Sequence, residues 1–311
     1  MSRSQVQTPQ VGKEQAAPGR PARRQAADRA AAGARPRGRR GANLLVETVL
    51  AVLVLVTILP IVWLVVLAFQ PVRNIITPGW SFSFSLGNVA ELLGPGEPFF
   101  AQLVNSLLIV AGTVVLCLVV GALAGYTLSL LRLPRPLTLV LLALAALIPL
   151  VPPMTLVPGL YVTLNNLGLL GTVQGLILLN TVFQLPFAVL LMKVYFDGVP
   201  PVLREAALVD GASELRTFLR IVLPLVRPGL AAVGVFTGIM AWNEFLFGLT
   251  MTSGGVTAPL TVGIASLVQE YEVAWGQMAA AGALAAVPII VLAMVANRQM
   301  VAGLTGGAVK G

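Results

Sequence analysis

Nine charged side chains fall between Lys193 and Arg227, in a chain whose charged content is only 10%. Four of them, Asp197, Glu205, Asp210 and Glu214, are carboxylates, a residue type that serves general acid–base chemistry. The usual companions of such chemistry are missing. Histidine, the commonest general base and metal ligand, is absent. The lone cysteine, Cys117, sits inside an apolar run, so the usual tetrahedral ligand sets cannot be assembled and no metal site is expected. A phosphate-cradling loop needs a lysine that follows glycine and precedes Ser or Thr. Lys13, Lys193 and Lys310 precede Glu, Val and Gly instead, so the chain is expected to bind no ATP and to be no enzyme.

A second polar group lies inside apolar runs: Asn105 with Ser106, then Gln174, Asn180 and Gln184, then Asn243 with Glu244. Polar groups within membrane spans tend to face the bundle interior. Asn180 and Gln184 share a helical face at i, i+4, just before Pro186. Their amides suit hydrogen bonding between helices and contact with a polar solute equally well. Glu244, beside Trp242, fits an interfacial carboxylate or a functional one.

Both groups need a scaffold, and the composition specifies a membrane. Of 311 residues 57% are hydrophobic, and the mean hydropathy of +0.89 exceeds that of a soluble domain of this length. Apolar runs predict six spans: Leu44 to Phe69, Leu103 to Leu131, Leu137 to Val162, Gly171 to Met192, Gly229 to Met251 and Gln277 to Ala296. The third and fourth are divided at Asn165, Asn166 and the following glycines. Pro149, Pro152 and Pro153 break the third, and Pro288 bends the sixth. Gly121 with Gly125, and Gly234 with Gly238, are small-xxx-small pairs expected to let helices approach closely.

Residues 1–43 carry ten of the twenty basic residues and almost no branched aliphatics. They cannot bury enough apolar surface to offset ordering entropy and are expected to form a disordered cytoplasmic tail. An arm for anionic lipid or nucleic acid is the alternative, and the lack of interleaved aromatics argues against nucleic acid. The predicted membrane domain is 44–311, with a core over 100–302. With six spans, 19 of the 20 Lys and Arg residues fall on one side and only Arg73 on the other, where Glu91, Glu97, Glu270 and Glu272 lie. Both termini should therefore be cytoplasmic.

The charged segment then becomes a cytoplasmic loop, since each charge at a bilayer centre costs about 2.5–3.5 kcal/mol. It is patterned like structure. Pro200 and Pro201 suit a helix start, and Gly211 after Asp210 suits a left-handed helix end. Ser213 can cap a second short helix with Glu214 in its first turn. Leu215, Phe218, Leu219 and Val222 are expected on one face, ahead of Pro224. Nothing in the chain's own loops is large enough to cover that stripe, so a partner surface is implied.

These residues carry a resemblance. Glu205, Ala206 and Ala207, then Gly211 after three residues, then Ile221, Leu223 and Pro224, match the EAA loop of ABC importer permeases at each defining position. "NSLLIVAG" at 105–112, "LVPGLYVTLNNLGLLGT" at 156–172, "LPFAVLLMKVYF" at 185–196 and "AWNEFLFGLT" at 241–250 resemble the carbohydrate branch, similar to the maltose-type second permease. The likeness covers roughly residues 44–311.

The resemblance implies an all-α, six-helix type I importer permease in the bacterial inner membrane. It implies a second permease, two ATPase subunits that bind ATP and Mg, and an extracytoplasmic solute-binding protein that delivers sugar. The loop 197–225 would couple to the ATPase through Glu205, Ala206, Ala207, Asp210, Gly211, Leu215 and Phe218. Asn105, Asn180, Gln184, Asn243 and Glu244 would line the sugar path. Two rival classes fit less well. An ion-driven secondary transporter would show matched halves and midplane acids, and a membrane enzyme would need its carboxylates gathered at the interface. A polyol or sugar-phosphate importer is the variant nearest to the carbohydrate reading.

Overall fold

The computed structural model describes residues 38–76, 82–131, 133–269 and 273–307. Most of the basic tail, with Arg132, Glu270, Glu272 and Lys310, lies outside the described residues. Apart from an isolated bridge between Val268 and Val273, the described elements are helical. In order they are α1 (Gly38–Ala68), α2 (Val72–Ile76), α3 (Gly87–Leu92), α4 (Phe99–Leu130), α5 (Arg135–Leu147), α6 (Pro153–Asn166) and α7 (Val173–Asp197). Then follow α8 (Pro201–Val209), α9 (Glu214–Thr217), α10 (Arg227–Trp242), α11 (Leu246–Thr252), α12 (Leu260–Ser266) and α13 (Trp275–Gly307). The chain divides into two compact units, Met1–Leu59 and Pro60–Gly311, and the bundle belongs to the second.

Four helices are individually long and apolar enough to cross a membrane, and six spans result if each of two bent pairs counts as one. The third expected span is such a pair: Arg135–Leu150 and Pro153–Asn166 meet at 102°. Pro152, extended at ψ 123°, cannot continue the first half, and Pro153 starts the second. The fifth expected span, Gly229 to Met251, is not continuous. α10 stops at Trp242 after 16 residues, or about 24 Å, and a turn at residues 243–245 separates it from α11.

α4 and α7 form the central pair. Thr172 caps α7, its Oγ1 accepting from Gly175 N at 3.0 Å. A Cβ at Gly125 would lie 2.9 Å from Met192 Cβ, so the two helices approach as closely as glycine allows. At Gly234 and Gly238 the expected close approach does not occur. The nearest atoms to an added Cβ lie 3.5 and 3.6 Å away, and both glycines instead line an open apolar groove of about 840 Å³ with Val114, Leu118 and Pro288. Cys117, Tyr126, Met192, Phe196, Phe218 and Val222 form one buried cluster, which joins α4 and α7 to the charged loop.

Candidate functional site

The charged loop folds as two short helices joined by a sharp bend. Pro201 occupies the first turn of α8, where its missing N–H costs nothing. Asp210 N donates to Ala206 O at 2.9 Å, and Ala212 N donates to Ala207 O at 3.0 Å across the bend. Gly211 makes that bend possible at φ 81°, a left-handed conformation that a side chain disfavours. Ser213 Oγ then accepts from Arg216 N at 3.4 Å and starts α9.

Three residues fix the angle between the halves. Arg204 Nε, on α8, donates to Glu214 Oε1, on α9, at 2.6 Å. The hydroxyl of Tyr126, near the end of α4, donates to the same oxygen at 3.2 Å. Hydrogen bonding to Glu214 pushes the Arg204 guanidinium above its ordinary range. The Tyr126 ring is buried and meets Phe218 and Phe196 edge-on, with centroids 5.0 and 5.8 Å apart. Sequence reasoning placed Glu214 only as a first-turn acid and overlooked Arg204 and Tyr126. Their partners lie ten and 88 residues away, beyond any helical periodicity.

The expected stripe of Leu215, Phe218, Leu219 and Val222 does not lie on one face. Phe218 and Val222 are buried against the chain's own helices, whereas Leu215 and Leu219 are 63% and 50% exposed. A π-turn over Phe218–Val222 follows, closed by Leu223 N donating to Phe218 O. Pro224 lacks an N–H, and in a regular α-helix its ring would press on the carbonyl of Arg220; the wider turn relieves that clash and shifts the helical phase. Of the expected coupling residues, Glu205, Ala206, Asp210, Gly211 and Leu215 are exposed, while Ala207 and Phe218 are buried.

The expected path residues are not all brought together. Asn180 is buried, its Nδ2 donating to Leu176 O at 3.0 Å, and Gln184 Nε2 donates to Asn180 Oδ1 at 3.3 Å. Gln184 Oε1 is buried without a hydrogen-bond partner among the described residues. Asn105 Nδ2 donates to the carbonyls of Val256 and Ala258 at 2.9 and 3.1 Å, and Ser106 Oγ accepts from Leu260 N at 2.8 Å. These two polar residues therefore anchor the start of α12. Asn243 is exposed just past the end of α10, its Nδ2 donating to Ile239 O at 2.8 Å. Glu244 organises the turn after α10: its carboxylate oxygens accept from Phe247 N at 2.7 Å and Gly248 N at 3.1 Å, and its carbonyl accepts from Thr261 Oγ1 at 2.7 Å. Absent from the sequence reading is an aromatic contact between α7 and α10, where Phe187 stacks on Phe236.

Comparison with known proteins bears on what this arrangement serves. A family model described as binding-protein-dependent transport system inner membrane component matches residues 117–305. The trehalose transport system permease protein SugB of Mycobacterium tuberculosis is 33% identical over 260 residues, 82% of this chain and 93% of that protein. The trehalose/maltose transport system permease protein MalG of Thermococcus litoralis is 30% identical over 260 residues, 83% of this chain and 93% of that one. Among solved structures, the chain is similar in fold to one from a bacterial ABC transporter involved in the import of alginate, with a TM-score of 0.73 and 19% identity over 84% of this chain and 97% of that one.

Proposed function

We infer, from the premise that this chain belongs to the binding-protein-dependent transport system inner membrane component family, that it is the membrane-spanning permease subunit of an ATP-driven carbohydrate importer. Membership makes it a transport subunit and not an enzyme. The observation that carries the reading is the bent loop: Gly211 in the left-handed region joins two helices at the position and spacing of the EAA motif. The substrate, in this reading, is a mono- to oligosaccharide, supported by similarity to trehalose and trehalose/maltose permeases.

The loop is the point at which force enters. It leaves α7 at Asp197 and enters α10 at Arg227, so displacing it acts on both helices at once. The assembly holds two ATPase subunits, which bind ATP and Mg, and one of them receives the exposed face of the loop around Glu205. A second permease completes the bundle, an extracytoplasmic solute-binding protein delivers the sugar, and both termini are cytoplasmic. On α7, Gln184 is the residue whose amide oxygen is left for a sugar hydroxyl, with buried Asn180 holding its Nε2.

Reconstitution into proteoliposomes with the second permease and the ATPase tests this. Sugar uptake should require both ATP hydrolysis and the binding protein. Uptake driven by an ion gradient in the absence of ATP would refute it.

A further inference from the structure

We propose that Tyr126 is a positioning residue for energy coupling, fastening the second helix of the loop to α4 through Glu214 and Phe218, so that the loop drives three membrane helices and not only the two it connects. The inference rests on the importer reading above.

The covalent route from the loop runs only to α7 and α10. A lever tied to the bundle by those two connections alone could swivel at its ends without loading α4 directly. The contacts around Tyr126 remove that freedom. One carboxylate oxygen, Glu214 Oε1, accepts from Arg204 of α8 and from Tyr126 of α4, so the position of α9 is defined against the other half of the lever and against the bundle together. A shared charged acceptor makes these bonds stronger than neutral pairs. Rings reinforce the polar link, because Phe218 sits just beyond α9 and meets the Tyr126 ring edge-on at 5.0 Å. Phe196, one residue from the end of α7, closes the other side at 5.8 Å.

The same end of α4 is locked to α7 over a longer stretch. Gly121 and Gly125 sit against Ala188 and Met192 at distances that leave no room for slippage. Ser129 Oγ donates to Lys193 O at 3.2 Å. A displacement of α9 toward or away from the bundle is therefore carried into α4 and α7 as a pair. Without the Tyr126 hydroxyl the ring packing survives, but the lever loses the hydrogen bond from α4 to Glu214.

The test uses the complete assembly in proteoliposomes, measuring carbohydrate uptake and ATP hydrolysis together. Tyr126→Phe keeps the ring and should leave assembly intact. We expect the ATP consumed per sugar imported to rise about tenfold, the scale set by losing one hydrogen bond to a charged group. A merely structural role would lower uptake and hydrolysis in proportion, and an unchanged ratio would overturn the proposal. The second test removes the acceptor, Glu214→Ala, alone and together with Tyr126→Phe. Once Glu214 is gone the hydroxyl has no carboxylate to hold, so adding Tyr126→Phe should raise the ATP consumed per sugar no further. A second rise of about tenfold in the double variant would overturn the proposal, because the hydroxyl would then act through something other than Glu214. Wild-type assembly that hydrolyses ATP yet imports no carbohydrate from the binding protein would sink the importer reading itself, a result distinct from either variant outcome.

Discussion

Phe187 and Phe236 stack face to face, their ring centroids 3.9 Å apart and their planes inclined by 29°. Each lies a similar distance along its helix from the loop: Phe187 is about 15 Å from the end of α7, and Phe236 about 14 Å from the start of α10, at 1.5 Å per residue. The contact therefore joins the two helices on which the loop acts, at matching height. A loop movement that tilts them unequally must part the rings. Such a pair contributes about 0.5–1.5 kcal/mol beyond its buried area. Replacing Phe236 by Ala should shift the balance of transporter states by about two- to tenfold and raise ATP hydrolysis in the absence of sugar by the same order. Hydrolysis at the wild-type level would show that the rings do not hold either state.

Gly211 is expected to tolerate asparagine far better than valine. At φ 81° a β-branched side chain meets its own backbone, at a cost of about 1–2 kcal/mol or more, whereas Asn visits this region with a smaller penalty. No atom lies within 4 Å of a Cβ built there, so the cost is conformational and not a clash. Gly211→Val should abolish ATP-driven uptake while the protein remains in the membrane at its usual level, and Gly211→Asn should keep a substantial fraction. Equal activity in the two variants would mean that the bend angle is irrelevant to transport.

What the sequence made legible were the features with local causes. Pro201 at a helix start, Gly211 in a left-handed bend and Ser213 as a cap each act within one turn, and each is found where the pattern predicts it. Features set by distant neighbours escaped. The Tyr126–Glu214 bond spans 88 residues. The burial pattern of the second loop helix was misjudged because α4 and α7, distant in sequence, cover Phe218 and Val222 and leave Leu215 and Leu219 exposed. The end of α10 was missed because Asn243 and Glu244 interrupt the apolar run from Gly229 to Met251 too briefly to mark a break, while the turn is made by a carboxylate that reads, in sequence, like any acid near a membrane surface.

The small-residue pairs make the same point and yield a contrast. Gly121/Gly125 and Gly234/Gly238 look identical in spacing, yet an added Cβ would be crowded, at 3.3 and 2.9 Å, only at the first pair; at the second it meets side chains at 3.5 and 3.6 Å. Gly125→Ala would force a methyl against Met192 and the Lys193 backbone, and overpacking of this kind costs about 1–3 kcal/mol. Gly238→Ala meets only ordinary contacts and gains helix propensity of nearly 1 kcal/mol. Thermal unfolding in detergent should place Gly125→Ala below wild type and Gly238→Ala at or above it. The reverse order would contradict the packing described.

Glu244 offers the sharpest separation between a structural and a substrate-binding carboxylate. Its two oxygens accept from consecutive N–H groups at the start of α11, and its carbonyl holds Thr261 near the start of α12. The side chain therefore satisfies helix-start donors that would otherwise be stranded beside an apolar core. Glu244→Ala should destabilise the bundle by about 1–2 kcal/mol, as the loss of a helix cap does. Glu244→Gln, which keeps an acceptor but removes the charge, should recover at least half of that. If the carboxylate serves only the turn, the apparent affinity for sugar in the Gln variant will match wild type while its melting temperature falls slightly. A large loss of sugar affinity with unchanged melting would instead make Glu244 a substrate ligand and overturn its assignment to the turn.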